Sequence, residues 1–242
     1  MDRLRYLALH NEINASPGMK YLSRRKVREF TYNIFDKNRK LLLEACEKLE
    51  SPENAIRLMA PENEAEGVAA HMDVMCHFHN FLAAAKTLVD HTRCFITDHY
   101  KSTSIEQAYT QKIAADLAND EVVKFVQDLR NYMLHKALPH SSRTINIKNT
   151  GRIDSNSINA SVHINKNKII QWEKWTKPSQ AYLSNAPSEI KISDIAKSYG
   201  EKISDFHNWL DLRINKHHSN DLSQLESLEN QMRLVTATTS TE

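Results

Sequence analysis

Arg130, Asn131 and His135 fall within six residues of one another in the stretch LRNYMLHKALP, residues 129–139. Residues of these types could carry out phosphoryl transfer without a metal. A guanidinium grips a scissile phosphate and stabilises charge as it develops on it, while imidazole is the side chain that moves protons near neutral pH. The spacing alone selects little, because Arg5–His10, Arg93–His99 and Arg213–His218 repeat it elsewhere in the chain.

Helical geometry separates these candidates. Asp120 can cap a helix through EVVKFVQDLRNYMLHKAL that Pro139 ends. On it Val122, Phe125, Val126, Leu129 and Met133 form one apolar stripe at steps of three and four. Measured from Leu129, Asn131 lies about 200° and His135 about 240° round the axis, so the two are i,i+4 neighbours on the opposite side. Arg130 lies between the faces, and Val123, Leu134 and Leu138 flank the polar group with apolar surface. Such a helix either presents a site at an interface, as in a homodimer, or is buried on both sides with Asn131 and His135 satisfied by hydrogen bonds.

Composition removes several other chemistries. The four glycines (Gly18, Gly67, Gly151 and Gly200) are too scattered to build a phosphate cradle, which excludes a nucleotide-driven motor or a nicotinamide enzyme. Cys46, Cys76 and Cys94 are odd in number, lack a CxxC pair and lie in helical runs. They read as buried thiols of a cytoplasmic protein. No apolar stretch is long enough for a membrane span, and the N-terminus lacks the apolar centre of a signal peptide. The histidine-rich HMDVMCHFHN offers His71, Asp73, Cys76, His77 and His79, yet His77 and His79 point about 200° apart on a helix and cannot share an ion. Cys76 and His79 could share one only with further ligands from elsewhere, so neither metal nor cofactor is expected. There is no GxSxG nucleophile motif. Trp172, Trp175 and Trp209 read as core anchors, with base stacking as the minor alternative.

The net charge of +2 announces no polyanion partner, but its distribution is uneven. Lys20 to Lys40 holds eight bases against Glu29 and Asp36, and Arg143 to Lys177 holds seven against Asp154 and Glu173. Each reads first as a solvated face; together they make a nucleic-acid surface worth weighing.

The elements that would position the motif are mainly α. A short helix over 2–14 ends before Pro17, a long one runs from Ser23 to about Leu49, and the longest spans Ala65 to Tyr100. Its stripe is Val68, Met72, Met75, Leu82, Val89 and Ile96. Ile105–Leu117 is a further helix ahead of the one that carries the motif. Two strands, Arg143–Asn149 and Ser157–Ile164, then form a small β-hairpin insertion around Gly151. Helices follow over Lys174–Leu183, Ser193–Lys216 and Asp221–Leu234, with a disordered tail from about 235. This divides the chain into a helical extension, 1–60, basic around 20–40, and a bundle with the β insertion, 61–242.

LRNYMLH resembles the signature of the HEPN superfamily, all-helical ribonucleases and nucleotide-binding domains. In that family an arginine, usually followed by a polar residue, precedes a histidine by four to six intervening residues. Arg130, Asn131 and His135 fit this pattern, whereas Arg5, Arg93 and Arg213 are followed by Tyr, Cys and Ile. The resemblance is specific over about 30 residues and extends loosely to the helix over 65–100. It leaves out the N-terminal helices and the β insertion. It implies an up-down helical bundle that dimerises to bring two motifs into one cleft. There the RNA's own 2′-hydroxyl attacks the adjacent phosphate without metal and leaves a 2′,3′-cyclic phosphate. In this scheme His135 transfers protons, Arg130 holds the phosphate, and Asn131 orients the histidine or holds substrate. Asp90 and Arg93 are a supporting pair at i,i+3, with structural pairing as their simpler role.

Two functions follow from this reading. One is a metal-independent endoribonuclease of toxin or phage-defence type, with the two basic segments helping to hold RNA and room for a neutralising partner protein. The other is a non-catalytic helical module that binds RNA, a nucleotide or a partner protein.

Overall fold

The computed structural model describes residues 2–147 and 158–239, and these are mainly helical with one small antiparallel sheet. In chain order the helices are α1 (Asp2–Ala15), α2 (Pro17–Glu50), α3 (Pro52–Arg57), α4 (Glu64–Tyr100), α5 (Ser104–Lys112) and α6 (Glu121–His135). Strands β1 (Ser141–Ile147) and β2 (Ile158–Asn165) come next. They are followed by α7 (Lys166–Ile169), α8 (Lys177–Asn185), β3 (Glu189–Lys191), α9 (Ile192–His217) and α10 (Ser219–Thr239). No helix among the described residues is long and apolar enough to cross a membrane.

Helix α1 ends before Pro17 as expected, but Pro17 and Gly18 open α2 itself, ahead of the expected start at Ser23. Ser16 caps its N-terminus by accepting a hydrogen bond from the Met19 amide at 3.1 Å, and Pro17 sits where a missing N–H costs nothing. Gly18 is needed for close approach, since a Cβ there would lie 2.5 Å from the Asp221 carbonyl oxygen of α10.

The long helix α4 buries Leu82 and Ile96 of the expected stripe, but its core face is rotated away from Val68 and Met72. Val74, Phe78, Phe81, Leu82, Ala85, Leu88 and Ile96 are buried, whereas Val68 and Met72 are exposed and Met75 and Val89 are half-buried. Both registers have helical spacing; the two phenylalanines decide, because each buries far more apolar area than a methionine or valine. Phe81 packs against Phe35 of α2 and Tyr199 of α9, with ring centroids 5.8 Å apart in both pairs. Leu42, Cys46 and Leu49 of α2 lie in the same core, so residues on both sides of position 60 share it. Burial pushes the Cys46 thiol up to about 12. Cys76 and Cys94, read from the sequence as buried, are exposed, because the core face of α4 turns elsewhere.

The hairpin forms as expected, with register from Ser141↔Ile164 to Ile147↔Ile158, and the loop containing Gly151 lies outside the described residues. A third strand, β3, pairs with β2 through His163↔Lys191 and Asn165↔Glu189. Three residues are too few to show alternation in a sequence. Helix α10 continues to Thr239, past Leu234, because Val235 is buried and Thr236 Oγ1 bonds back to the Arg233 carbonyl at 2.8 Å. Residues 240–242 of the expected tail lie outside the described residues.

Arg28, one of the eight bases of the 20–40 run, is only 6% exposed. It pairs with Asp211, stacks over the Phe95 ring and donates to His207 Nδ1 at 3.3 Å. Burial, and then the cation of Arg28, pull the buried His207 from its ordinary 6.5 down to about 3. The unfolded chain therefore takes up a proton below about pH 6.5 that the folded chain refuses. Stability from this group is complete above that pH and falls as pH drops toward 3, by about 1.4 kcal/mol per pH unit. Thermal denaturation between pH 7 and 4 should show a falling midpoint, and His207→Gln should flatten that slope. An unchanged slope in the variant would place the acid sensitivity elsewhere.

Candidate functional site

Helix α6 begins where Asp120 accepts the Val123 amide at 2.9 Å and ends at His135, ahead of Pro139. Its buried residues are Val123, Phe125, Val126, Asp128, Leu129 and Tyr132, a wider face than the expected stripe. Val123 therefore belongs to the core, while Leu134 and Leu138 are exposed.

The widening comes from the segment between β2 and α8, which packs along α6 through aromatic rings. Trp175 stacks on Phe125 at 5.6 Å and on Tyr132 at 5.9 Å, and Trp172 meets Tyr132 edge-on at 5.5 Å. Trp175 Nε1 also donates to the Ile169 carbonyl at 2.9 Å. Beneath this layer the buried Asp128 carboxylate ties the segment to α6. Its Oδ2 accepts from the Thr176 amide at 2.9 Å, the Thr176 hydroxyl at 2.7 Å and the Ser179 hydroxyl at 2.6 Å, at the start of α8. Asp128 was not singled out from the sequence. Its one signal is a carboxylate on the flank of an apolar stripe, and its partners lie about 50 residues away.

Between the end of α6 and residues 168–174 lies an open cleft of about 500 Å³, lined by Tyr132, His135 and Lys136 on one side and by Lys168, Gln171, Trp172, Glu173 and Lys174 on the other. His135 is exposed and has no hydrogen-bond or ion-pair partner among the described residues. Three lysines against one glutamate give the cleft a positive balance. The half-buried Trp172 keeps part of its ring at the wall, whereas Trp175 is a buried anchor; the half-buried Trp209 lies under the Lys112 ammonium at 5.5 Å. The cleft can hold an anion beside an imidazole and an aromatic surface.

The other motif residues are placed differently. Arg130 is half-buried and outside the cleft lining; its Nη1 donates to Asn131 Oδ1 at 3.3 Å, and its Nε is buried without a partner. Asn131 and His135 share a face, but Arg130 and His135 do not meet in one protomer's cleft. Asp90 pairs with Arg93 at 3.3 Å and with Lys86 at 2.5 Å. That group sits apart, because Asp90 lies ten residues, about 15 Å of helix rise, beyond Asn80, which shares a groove with Leu138.

The basic segments also divide. In the second, Arg143 donates to the Leu58 carbonyl and Lys166 to the Ala186 carbonyl, whereas Lys168 and Lys174 face the cleft. Lys148 and Arg152 lie outside the described residues. His71, from the histidine-rich run, bonds Ser141 Oγ at 2.9 Å across to β1.

No protein-family model, curated protein or solved structure matches this chain.

Proposed function

We propose that this protein is a metal-independent endoribonuclease of the toxin or phage-defence kind, built as a HEPN-like bundle. The 2′-hydroxyl of the RNA attacks the neighbouring phosphate and displaces the next nucleotide's 5′-oxygen. The P–O5′ bond breaks, the 2′-oxygen gives up its proton and the 5′-oxygen takes one up, so the fragments end in a 2′,3′-cyclic phosphate and a 5′-hydroxyl. The observation that carries this reading is His135, an exposed imidazole at the mouth of a cleft with three lysines and an aromatic wall. Lysines hold the phosphates, imidazole moves the proton, and Trp172 offers a ring to a base. The direct test is incubation with RNA in excess EDTA, with end-group analysis of the fragments; intact RNA throughout would sink the assignment.

A second copy completes the site in this proposal, since Arg130 lies outside its own protomer's cleft. Three residues after His135, Leu138 is 63% exposed, and with Met72, which is 64% exposed, it lines a groove of about 620 Å³ that also includes Met75. An apolar strip of this kind favours protein contact over solvent. Leu138→Asp should convert dimer to monomer in sedimentation without changing the circular dichroism, because the side chain is mostly exposed in the protomer. A wild-type chain that sediments as a monomer at every concentration would remove the shared site.

The second reading is a non-catalytic module that binds RNA, a nucleotide or a partner protein. What favours it is Arg130, whose guanidinium is engaged with Asn131 and does not line the cleft. It predicts RNA binding that weakens with salt and leaves the RNA uncut.

A further inference from the structure

The eight bases of α2 sort by face. Arg25 pairs with Glu29, Arg39 and Lys40 share Asp36, and Arg28 is buried against Asp211. Both acids of the 20–40 run are thereby engaged. Lys20, Arg24, Lys26 and Lys37 have no ion-pair partner among the described residues. By helical spacing, Lys20, Lys26 and Lys37 flank the outward line of Val27, Phe30 and Ile34, with Arg24 one step further round. These three apolar side chains are not core: Val27 is 70% exposed and Phe30 is 68% exposed. Val27 also forms the edge of an open groove of about 200 Å³ between α2 and α4, whose other wall includes Cys94, Phe95 and His99, with Asp98 as its one carboxylate.

We propose that this face of α2 docks an amphipathic helix with acidic flanks, supplied by a partner protein. An apolar ridge bordered by cations on both sides is the complement of an apolar stripe bordered by carboxylates. The groove beside Val27 accepts one of the partner's apolar side chains. A second copy of this chain fits poorly, because a two-fold contact would set the same four cations against themselves. RNA is the weaker fit, since Phe30 alone of the three offers a base a stacking plane, and Val27 and Ile34 give neither a plane nor a hydrogen bond. The surface is also separate from the His135 cleft. Its α4 wall begins at His91, eleven residues or about 16 Å of helix beyond Asn80. It therefore stands whether or not the nuclease proposal does.

The test uses the full chain and a fluorescein-labelled peptide of about 18 residues, long enough to lie along Lys20–Lys37, with leucines at helical spacing and glutamates on both flanks. Saturable binding that weakens with added salt is the expected result, reduced on the order of tenfold or more by Phe30→Ser and by Arg24→Glu with Lys26→Glu. Both variants should keep the wild-type melting profile, because the side chains changed are exposed. The same peptide with lysine for glutamate should not bind. The proposal is overturned if the acidic peptide fails to bind, or binds the variants as well as the wild type. It is also overturned if Phe30→Ser changes the oligomeric state, which would give the face to a second copy. Loss of affinity in Phe30→Ser for single-stranded RNA or anionic vesicles, but not for the peptide, would assign the face to those instead.

Discussion

In the proposed ribonuclease, His135→Ala is expected to lower RNA cleavage by about 10²–10⁴-fold, the usual contribution of a positioned proton-transfer group. The fold should not change, because His135 is exposed at the end of α6 and has no hydrogen-bond or ion-pair partner among the described residues. Arg130→Ala should cost about 10²–10³-fold if its guanidinium stabilises the charged phosphate of the transition state. The two losses have different geometric origins, and a mixing experiment separates them. In one protomer Arg130 does not line the cleft of its own His135. If the arginine acts across a dimer, coexpressing Arg130→Ala with His135→Ala should restore about a quarter of wild-type activity, since half of the dimers then carry one complete site of two. No recovery from a mixture shown to contain heterodimers would place both residues in the same protomer's site. Full activity of either single variant would remove that residue from the mechanism.

Asp128→Ala should have the largest effect on stability among substitutions around the cleft. One carboxylate oxygen accepts from the Thr176 amide and from the Thr176 and Ser179 hydroxyls, all within 2.9 Å. Hydrogen bonds to a charged group contribute more than neutral ones, and removing the acceptor takes it from the hydroxyl of the buried Ser179. A loss of about 3 kcal/mol in urea unfolding is expected, with less for Asp128→Asn, which keeps an acceptor oxygen. The carboxylate also sits at the N-terminal end of α8, where a negative charge is favourable. Because Asp128 fixes the segment that carries Trp172, Lys168 and Lys174, its loss in the proposed ribonuclease should raise KM for RNA more than it lowers kcat. Tryptophan fluorescence should shift red as Trp172 and Trp175 loosen. Wild-type stability in Asp128→Ala would mean that the aromatic layer alone holds the wall.

Much of the secondary structure is written in local patterns. The capping aspartate and Pro139 bracket α6, and Ile/Val alternation marks β1 and β2, because caps and pleats are satisfied by residues close in sequence. On α4 such patterns reach Leu82 and Ile96, which are buried, but not Val68 and Met72, which are exposed. Val68, Met72 and Met75 keep helical spacing as faithfully as Val74, Phe78 and Phe81 do. Phe35 and Tyr199, supplied by α2 and α9, meet Phe81 of the second set in the core. The same rotation exposes Cys76 and Cys94. For the basic run 20–40, the sequence counts charges but cannot tell that Arg28 is an internal tie to α9 whereas Arg24 and Lys26 are exposed.

The candidate site divides in the same way. The sequence by itself determined a helix with Asn131 and His135 together on one face, because an i,i+4 relation is fixed by the helix repeat. Tertiary structure decided what stands opposite that face. Lys168, Trp172 and Lys174 reach His135 only because Asp128 and the Phe125–Tyr132–Trp175 rings draw the segment ahead of α8 onto α6, across some 50 residues of chain. Contacts over that separation depend on buried area and on the pairing of buried polar groups, and no local repeat encodes either.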